Sequence, residues 1–285
     1  MKEKEKKQRS FDLLGNIALV KFSDSDKFKS SEKKKFAQQI SKEHKAVSTV
    51  LEKSKNFSGK LRTMKTKHLA GEKTKEALYK ENGCEFRFNM DETYFSSRLA
   101  GDRNDIANKI SKLPGKNKLV LVMFAGIGPY SIVIRKNSKG IKKIVSNELN
   151  KKANAYAEQN VLRNKLKDKI EFANGDIKLV APKLKQQYPK GFDIIVMPRP
   201  NLDETFLEEG LMLSKKTNFF SRLFGKKPTR IFYHCFGNEE DAQQHTNGLK
   251  VQAKKLKRKL KILETKKVGD IAPYKFRWRL EMVVI

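Results

Sequence analysis

Five apolar residues in a row, Leu119-Val120-Leu121-Val122-Met123, run straight into Phe124-Ala125-Gly126-Ile127-Gly128-Pro129. An unbroken apolar run of this length suits a strand buried on both faces, which occurs chiefly in parallel sheets covered by helices. Two glycines one residue apart let the backbone turn sharply and come close to a ligand. Proline then opens a segment that reads as helix, and a helix N-terminus presents free N–H groups. Strand, glycine turn and helix start together make a cradle for a nucleotide-like ligand. A tight turn that binds nothing would read the same way.

The following segments sharpen the reading. Ile144-Val145-Ser146-Asn147 reads as a second strand and ends at Glu148, twenty residues after Gly128. A doubly wound fold places there the carboxylate that grips ribose hydroxyls; the alternative is a solvated strand end. A third strand, Ile170 to Ala173, runs into Asn174-Gly175-Asp176. A fourth, Phe192 to Met197, runs into Pro198-Arg199-Pro200. Four strands thus end in polar or turn residues on one sheet edge, where open α/β folds bind ligands. No third glycine completes a dinucleotide fingerprint, which by fold analogy favours S-adenosylmethionine over NAD.

Lys and Arg number 63 against 32 Asp and Glu, a formal charge of +31. Such an excess points to a polyanionic partner, nucleic acid first. No apolar run approaches the ~20 residues of a spanning helix, so a membrane is not expected. Met1 to Arg9 is polar and charged after the Met, unlike a signal peptide. Cys84 and Cys235 suit a cytoplasmic protein with two inert buried thiols. His234 and Cys235 sit mid-strand as core residues, and no metal-ligand spacing is present.

Taken in order, residues 1–10 read as a basic tail. Phe11 to Phe22 reads as strand with a turn or bulge at Gly15-Asn16, and Ser31 to Lys53 as helix, since Phe36, Ile40, Val47, Val50 and Leu51 recur at helical spacing. Asn56 to Leu69 is basic and extended. Asn82-Gly83 is a favoured hairpin turn between strands from Leu78 to Asn89. Further helices are expected from Asp105 towards Leu113, Lys151 to Leu166, Thr205 to Leu213 and Glu239 to Leu260. Strands are expected at Thr229 to Phe236, Ile262 to Val268 and Arg277 to Ile285. This alternation gives a doubly wound sheet. Lys215 to Lys227 and Lys254 to Lys261 are candidate RNA surfaces, while Phe219, Phe220 and Phe224 read as pointing into the core rather than stacking on bases.

Several stretches together resemble one family: Phe11 to Ala18, His68-Leu69-Ala70-Gly71-Glu72, Glu81-Asn82-Gly83-Cys84, Tyr94-Phe95-Ser96-Ser97-Arg98-Leu99 and Met123 to Pro129. The chain resembles the archaeal and eukaryotic tRNA (guanine-N1-)-methyltransferases that modify guanosine 37, beside the anticodon. The resemblance implies a Rossmann-like class I methyltransferase fold of the α/β class. Its seven-stranded sheet would have the last strand antiparallel, and a smaller N-terminal α+β domain would precede it. Boundaries are then 1–10 for the tail, 11–92 for the RNA-positioning domain and 93–285 for the methyltransferase domain. It also implies S-adenosylmethionine as cofactor, tRNA as partner, no metal, and action as a monomer. Larger archaeal relatives carry a further N-terminal domain that grips the tRNA elbow, and this chain begins almost at their second domain.

For site residues, the resemblance implies that Phe124, Gly126 and Gly128 face the methionine portion, Glu148 the ribose and Asp176 the adenine amine. Asp102 matches the carboxylate proposed to take the guanine N1 proton, as Asp where relatives have Glu; the alternative is an N-cap of the next helix. Arg62 matches the arginine that stabilises charge on guanine O6, the alternative being a phosphate contact. Arg98 is expected to be structural or to touch tRNA. Pro198 stands where relatives have an Asn that contacts the target base, with Arg199 or the backbone of Pro198-Arg199-Pro200 as substitute. Val122 stands where relatives carry an acid. Two other readings stay open: an aminocarboxypropyl transferase of wybutosine-type synthesis, against which Gly128-Pro129-Tyr130 argues, and a non-catalytic RNA-binding descendant.

Overall fold

The computed structural model describes residues 11–22, 28–59, 61–199, 203–217 and 227–285. The expected tail at 1–10, Pro200, and the phenylalanines at 219, 220 and 224 lie outside the described residues.

Two compact units are present, one reaching to Glu81 and including Glu85–Phe95, the other comprising Asn82–Cys84 and Ser96–Ile285. In the first, β1 (Phe11–Leu14) and β2 (Ile17–Val20) form a hairpin around the Gly15-Asn16 turn. Helix α1 (Ser30–Glu43) crosses over to β3 (Thr49–Ser58), which pairs in parallel with β2 and antiparallel with β4 (Thr63–Gly71). The expected helix to Lys53 is corrected: it ends at Glu43, and Val50 and Leu51 lie in β3. Those apolar residues fit a helical period, but parallel pairing with buried Ala18 and Leu19 decides their conformation. Strands β5 (Glu76–Glu81) and β6 (Cys84–Asn89) form the hairpin foreseen at Asn82-Gly83.

The second unit is built on seven strands. They are β7 (Lys118–Val122), β8 (Ile141–Glu148), β9 (Ile170–Asn174), β10 (Ile194–Met197), β11 (Arg230–Gly237), β12 (Leu260–Ala272) and β13 (Lys275–Val284). Their order is β12-β13-β11-β10-β7-β8-β9. From β9 to β11 all neighbours are parallel, and β13 enters antiparallel between β11 and β12. Among the described residues the unit's helices are α2 (Ala100–Lys112), α3 (Pro129–Asn137), α4 (Lys151–Arg163), α5 (Ile177–Gln187), α6 (Leu207–Leu213) and α7 (Glu239–Lys255). Val120 through Met123 are fully buried, as a doubly covered central strand requires. Helix α5 lies where no element was expected; Pro182 sits inside it.

The chain runs outward from β7 through β8 to β9, then returns to place β10 on the other side of β7. This reversal opens a crevice beyond the carboxyl ends of β7 and β10.

Candidate active site

The turn after β7 lies in that crevice. Met123 N donates to Val196 O (2.9 Å), Ala125 N to Asn147 O (2.8 Å) and Gly128 N to Ala125 O (3.0 Å). Three residues in five adopt left-handed backbone: Phe124 (φ 55°), Gly126 (φ 58°) and Gly128 (φ 86°). A Cβ on Gly128 would meet Ala157 Cβ and Ile132 Cδ1 at 3.4 Å, an ordinary contact, so its left-handed backbone is what calls for glycine.

Glu148 ends β8 and reaches back to this turn. Its Oε2 accepts from Gly126 N and its Oε1 from Asn150 N, each at 2.7 Å. Burial pushes its pKa up, against the pull of amide donors at Asn150, Gly126 and Leu149. Asn150 in turn caps α4, accepting from Lys152 N at 2.9 Å. Asn147 Nδ2 ties the ends of β8 and β9 by donating to Ala173 O (2.7 Å) and Gly175 O (3.0 Å). Asp176 follows β9 and caps α5 through Lys178 N (3.0 Å). Phe124, Gly126, Gly128, Glu148 and Asp176 thus all stand at the carboxyl ends of neighbouring parallel strands. The residues suit S-adenosylmethionine: left-handed turn residues for close backbone approach, and carboxylates that accept from hydroxyl and amine groups.

Asp102 is placed differently from either expectation. It is not an N-cap: α2 starts at Ala100 with Leu99 as its cap residue, and Asp102 lies in the first turn facing inward. Its side chain is 1% exposed. Oδ1 accepts from Arg279 Nη1 (2.7 Å), Oδ2 accepts from Tyr130 OH (2.6 Å), and His234 Nε2 lies 3.0 Å from Oδ2. Burial alone would raise its pKa. His234, Arg279 and Tyr130 outweigh that and hold the carboxyl far below the usual range. A general base needs reach to its proton and a pKa near the working pH. This carboxylate is enclosed in the free protein, and its partners hold it in the charged form.

The arginines separate. Arg62 belongs to the first unit, in left-handed backbone (φ 49°), its guanidinium 4.8 Å from the centre of the Tyr94 ring. Arg98 is exposed in a short 3-10 turn, Ser97–Leu99. Arg199 is buried, donates from Nη2 to Glu204 O (2.9 Å) and lies over the Tyr233 ring. It faces the protein interior, which corrects the expectation that it replaces the missing Asn as a base donor. Pro198 is half-buried, and Val122 is fully buried in the core.

The sequence reading passed over Tyr130, Asn160 and Arg279, and took His234 as plain core. Asn160 Nδ2 donates to Ile127 O (3.2 Å), so α4 supports the glycine turn from below. The available signal was a row of asparagines in and beside α4 at 150, 154, 160 and 164, all buried here. Among the described residues no cluster of three metal-ligating side chains occurs, and no helix is long and apolar enough to cross a membrane.

Comparison with known proteins adds to this geometry. The TRM5/TYW2 methyltransferase domain matches residues 77–261, and the TYW2 N-terminal domain matches residues 1–74. The tRNA (guanine(37)-N(1))-methyltransferase Trm5b of Pyrococcus abyssi is 27% identical over 276 residues, 96% of this chain and 74% of that protein. Its crystal structure superposes with a TM-score of 0.76 at 25% identity, over 96% of this chain and 74% of that one. Taw22 of Nanoarchaeum equitans, a tRNA (guanine(37)-N(1))/4-demethylwyosine(37)-methyltransferase, is 29% identical over 97% of this chain and 100% of its own length. The fold is also that of aTrm5 in complex with tRNALeu, with a TM-score of 0.75 at 24% identity, over 96% of this chain and 71% of that one.

Proposed function

The chain belongs to the TRM5/TYW2 methyltransferase family, and on that footing we propose that it transfers a methyl group from S-adenosylmethionine to N1 of guanosine 37 in tRNA. The observation that carries the proposal is the Gly126–Glu148 hydrogen bond at the reversal point of the sheet. It joins a turn shaped for close approach to the acid suited to ribose hydroxyls.

S-adenosylmethionine supplies an electrophilic methyl group on a sulfonium. The protein's part is to hold it and to orient the guanine. Glu148 would accept from the ribose hydroxyls through the lone pairs its two amide partners leave unused. Asp176 would hold the adenine amine with its remaining oxygen, and the backbone from Phe124 to Gly128 would hold the methionine portion. Guanine N1 must lose a proton as it becomes the nucleophile, and negative charge builds on O6. Arg62 is the candidate to meet that charge and Arg98 a candidate tRNA contact, assignments that rest on family resemblance alone. Pro198 and the backbone near it remain the candidate edge for the base. The +31 charge supports RNA binding, and two buried free thiols accord with a reducing, cytoplasmic setting.

A second reading has its own support, because residues 1–74 match the TYW2 N-terminal domain. That reading is transfer of the aminocarboxypropyl group of the same cofactor. One experiment separates the two: incubation with unmodified tRNA and S-adenosylmethionine carrying the label in its methyl group, then nucleoside analysis. Labelled 1-methylguanosine is the expected product. An unlabelled nucleoside gaining the aminocarboxypropyl mass would establish the second reading, and no product with bound cofactor would leave an RNA-binding descendant.

A further inference from the structure

Tyr130 is the second residue of α3, one position past the Pro129 that follows Gly128. Its ring is buried, and its hydroxyl meets Asp102. Arg279, which holds the other Asp102 oxygen, is fixed at its far side by Asp105 Oδ2 (2.6 Å) and Glu264 Oε2 (3.0 Å). A continuous line of polar contacts therefore runs from β12 and β13 through Asp102 to the first turn of α3. Across the same turn, Glu148 holds Gly126 N and Asn160 holds Ile127 O. The glycine turn is braced from β8 and α4 on one side and from Asp102 on the other.

We propose that Asp102 is a positioning residue for the glycine turn, acting through Tyr130. The proposal rests on the reading that this turn holds S-adenosylmethionine. Three features carry it. The carboxylate is sealed from solvent, so whatever it does in this arrangement it does through the side chains it touches. Its oxygens already accept from a guanidinium and a phenol. The phenol sits two residues from Gly128, so a shift of its anchor moves the start of α3 and with it the amides that would face the cofactor. Burial and the Asp102 charge push the Tyr130 pKa well above its ordinary value, which keeps the hydroxyl a donor throughout the working range.

The test compares Tyr130→Phe, which removes one hydroxyl and keeps the ring, with Asp102→Asn. Lys266→Ala, at the exposed rim of the same network, serves as control. Three quantities are measured: S-adenosylmethionine affinity by calorimetry, amide hydrogen exchange over residues 125–132, and the pH profile of single-turnover methyl transfer at saturating cofactor. Tyr130→Phe should bind the cofactor roughly tenfold more weakly, the size of one buried hydrogen bond to a charged group. Its turn amides should exchange faster, and its saturated pH profile should keep the wild-type shape. Asp102→Asn should move the same way and further. Wild-type affinity and exchange in Tyr130→Phe would overturn the proposal. So would an Asp102→Asn variant that binds cofactor normally but loses rate with an altered pH profile, since that is the signature of a base. Should Asp102→Asn fail to fold, Tyr130→Phe decides alone. Failure of the wild type to bind S-adenosylmethionine would remove the functional reading instead, and the exchange comparison would still show whether Asp102 holds the turn.

Discussion

Gly126 N donates to Glu148 Oε2 at 2.7 Å across 22 residues of sequence. The acid proposed to face the cofactor and the turn proposed to approach it are therefore one hydrogen-bonded unit. Because the other oxygen of Glu148 holds Asn150 N, and Asn150 caps α4, a shift in the turn is resisted by a whole helix. Such mutual support is how a site is held to the tolerance that group transfer demands.

Gly126→Val tests the turn. Left-handed backbone at φ 58° strains a β-branched residue by about 1–3 kcal/mol, and the side chain would enter the space where the ligand passes. Calorimetry should show S-adenosylmethionine binding lost while circular dichroism keeps the native spectrum. A folded variant with wild-type affinity would take the turn out of the site.

Acid should unfold the second unit through Asp102. Its folded pKa lies below its unfolded value, so folding disfavours the proton. The stability it contributes is full above about pH 5 and falls as the pH drops below about 4. Asp102→Asn should cost about 3 kcal/mol at neutral pH, the lower end for breaking a buried pair, because Asp105 and Glu264 still neutralise Arg279. Urea unfolding between pH 7 and pH 3 should show the wild-type and variant curves converging in acid. Parallel curves would mean that Asp102 is not held low.

Salt should weaken RNA binding steeply. The logarithm of the affinity should fall linearly with that of salt concentration, by about 0.9 per phosphate neutralised on duplex and about 0.7 on single strand. Lys254 and Lys257 are exposed where α7 gives way to β12. Lys254→Glu combined with Lys257→Glu should flatten the slope without changing cofactor affinity. An unchanged slope would place the RNA elsewhere.

Thiol labelling reports on packing. Cys84 and Cys235 are buried, and burial pushes Cys235 up to about 12 despite nearby Arg199. A thiol reagent at pH 8 should label the native protein only as fast as it opens, and denatured protein at once. Fast labelling of native Cys235 would show that β11 is not packed as described.

The sheet was legible because Leu119 to Met123 and the strands ending at Glu148, Asn174 and Met197 carry their pattern within a few residues. The surroundings of Asp102 were not, because its partners Tyr130 and Arg279 are 28 and 177 residues away. Nothing local marks a carboxylate as the centre of such a cluster, and an Asp near a helix start reads as a cap. Arg199 misled in the same way. Its sequence neighbours suggest a free donor beside the base, whereas the side chain turns under the chain to meet Glu204. Pro182 hid α5, since a single interior proline lowers a helical reading that tertiary packing can override.

The placement of Arg279 in β13 has a consequence for biosynthesis. A ribosome adding roughly 5–20 residues per second needs about 10–35 s to travel from Asp102 to Arg279. Over that interval the acid has no arginine to meet. Burying it unpaired costs several kcal/mol, which holds α2 away from its final seat on α3. The nascent chain can thread β7, β8 and β9 early, yet the half that handles the ligand sets only as the closing strand slides between two others. A truncated translation product would thus be a poor trap for the cofactor.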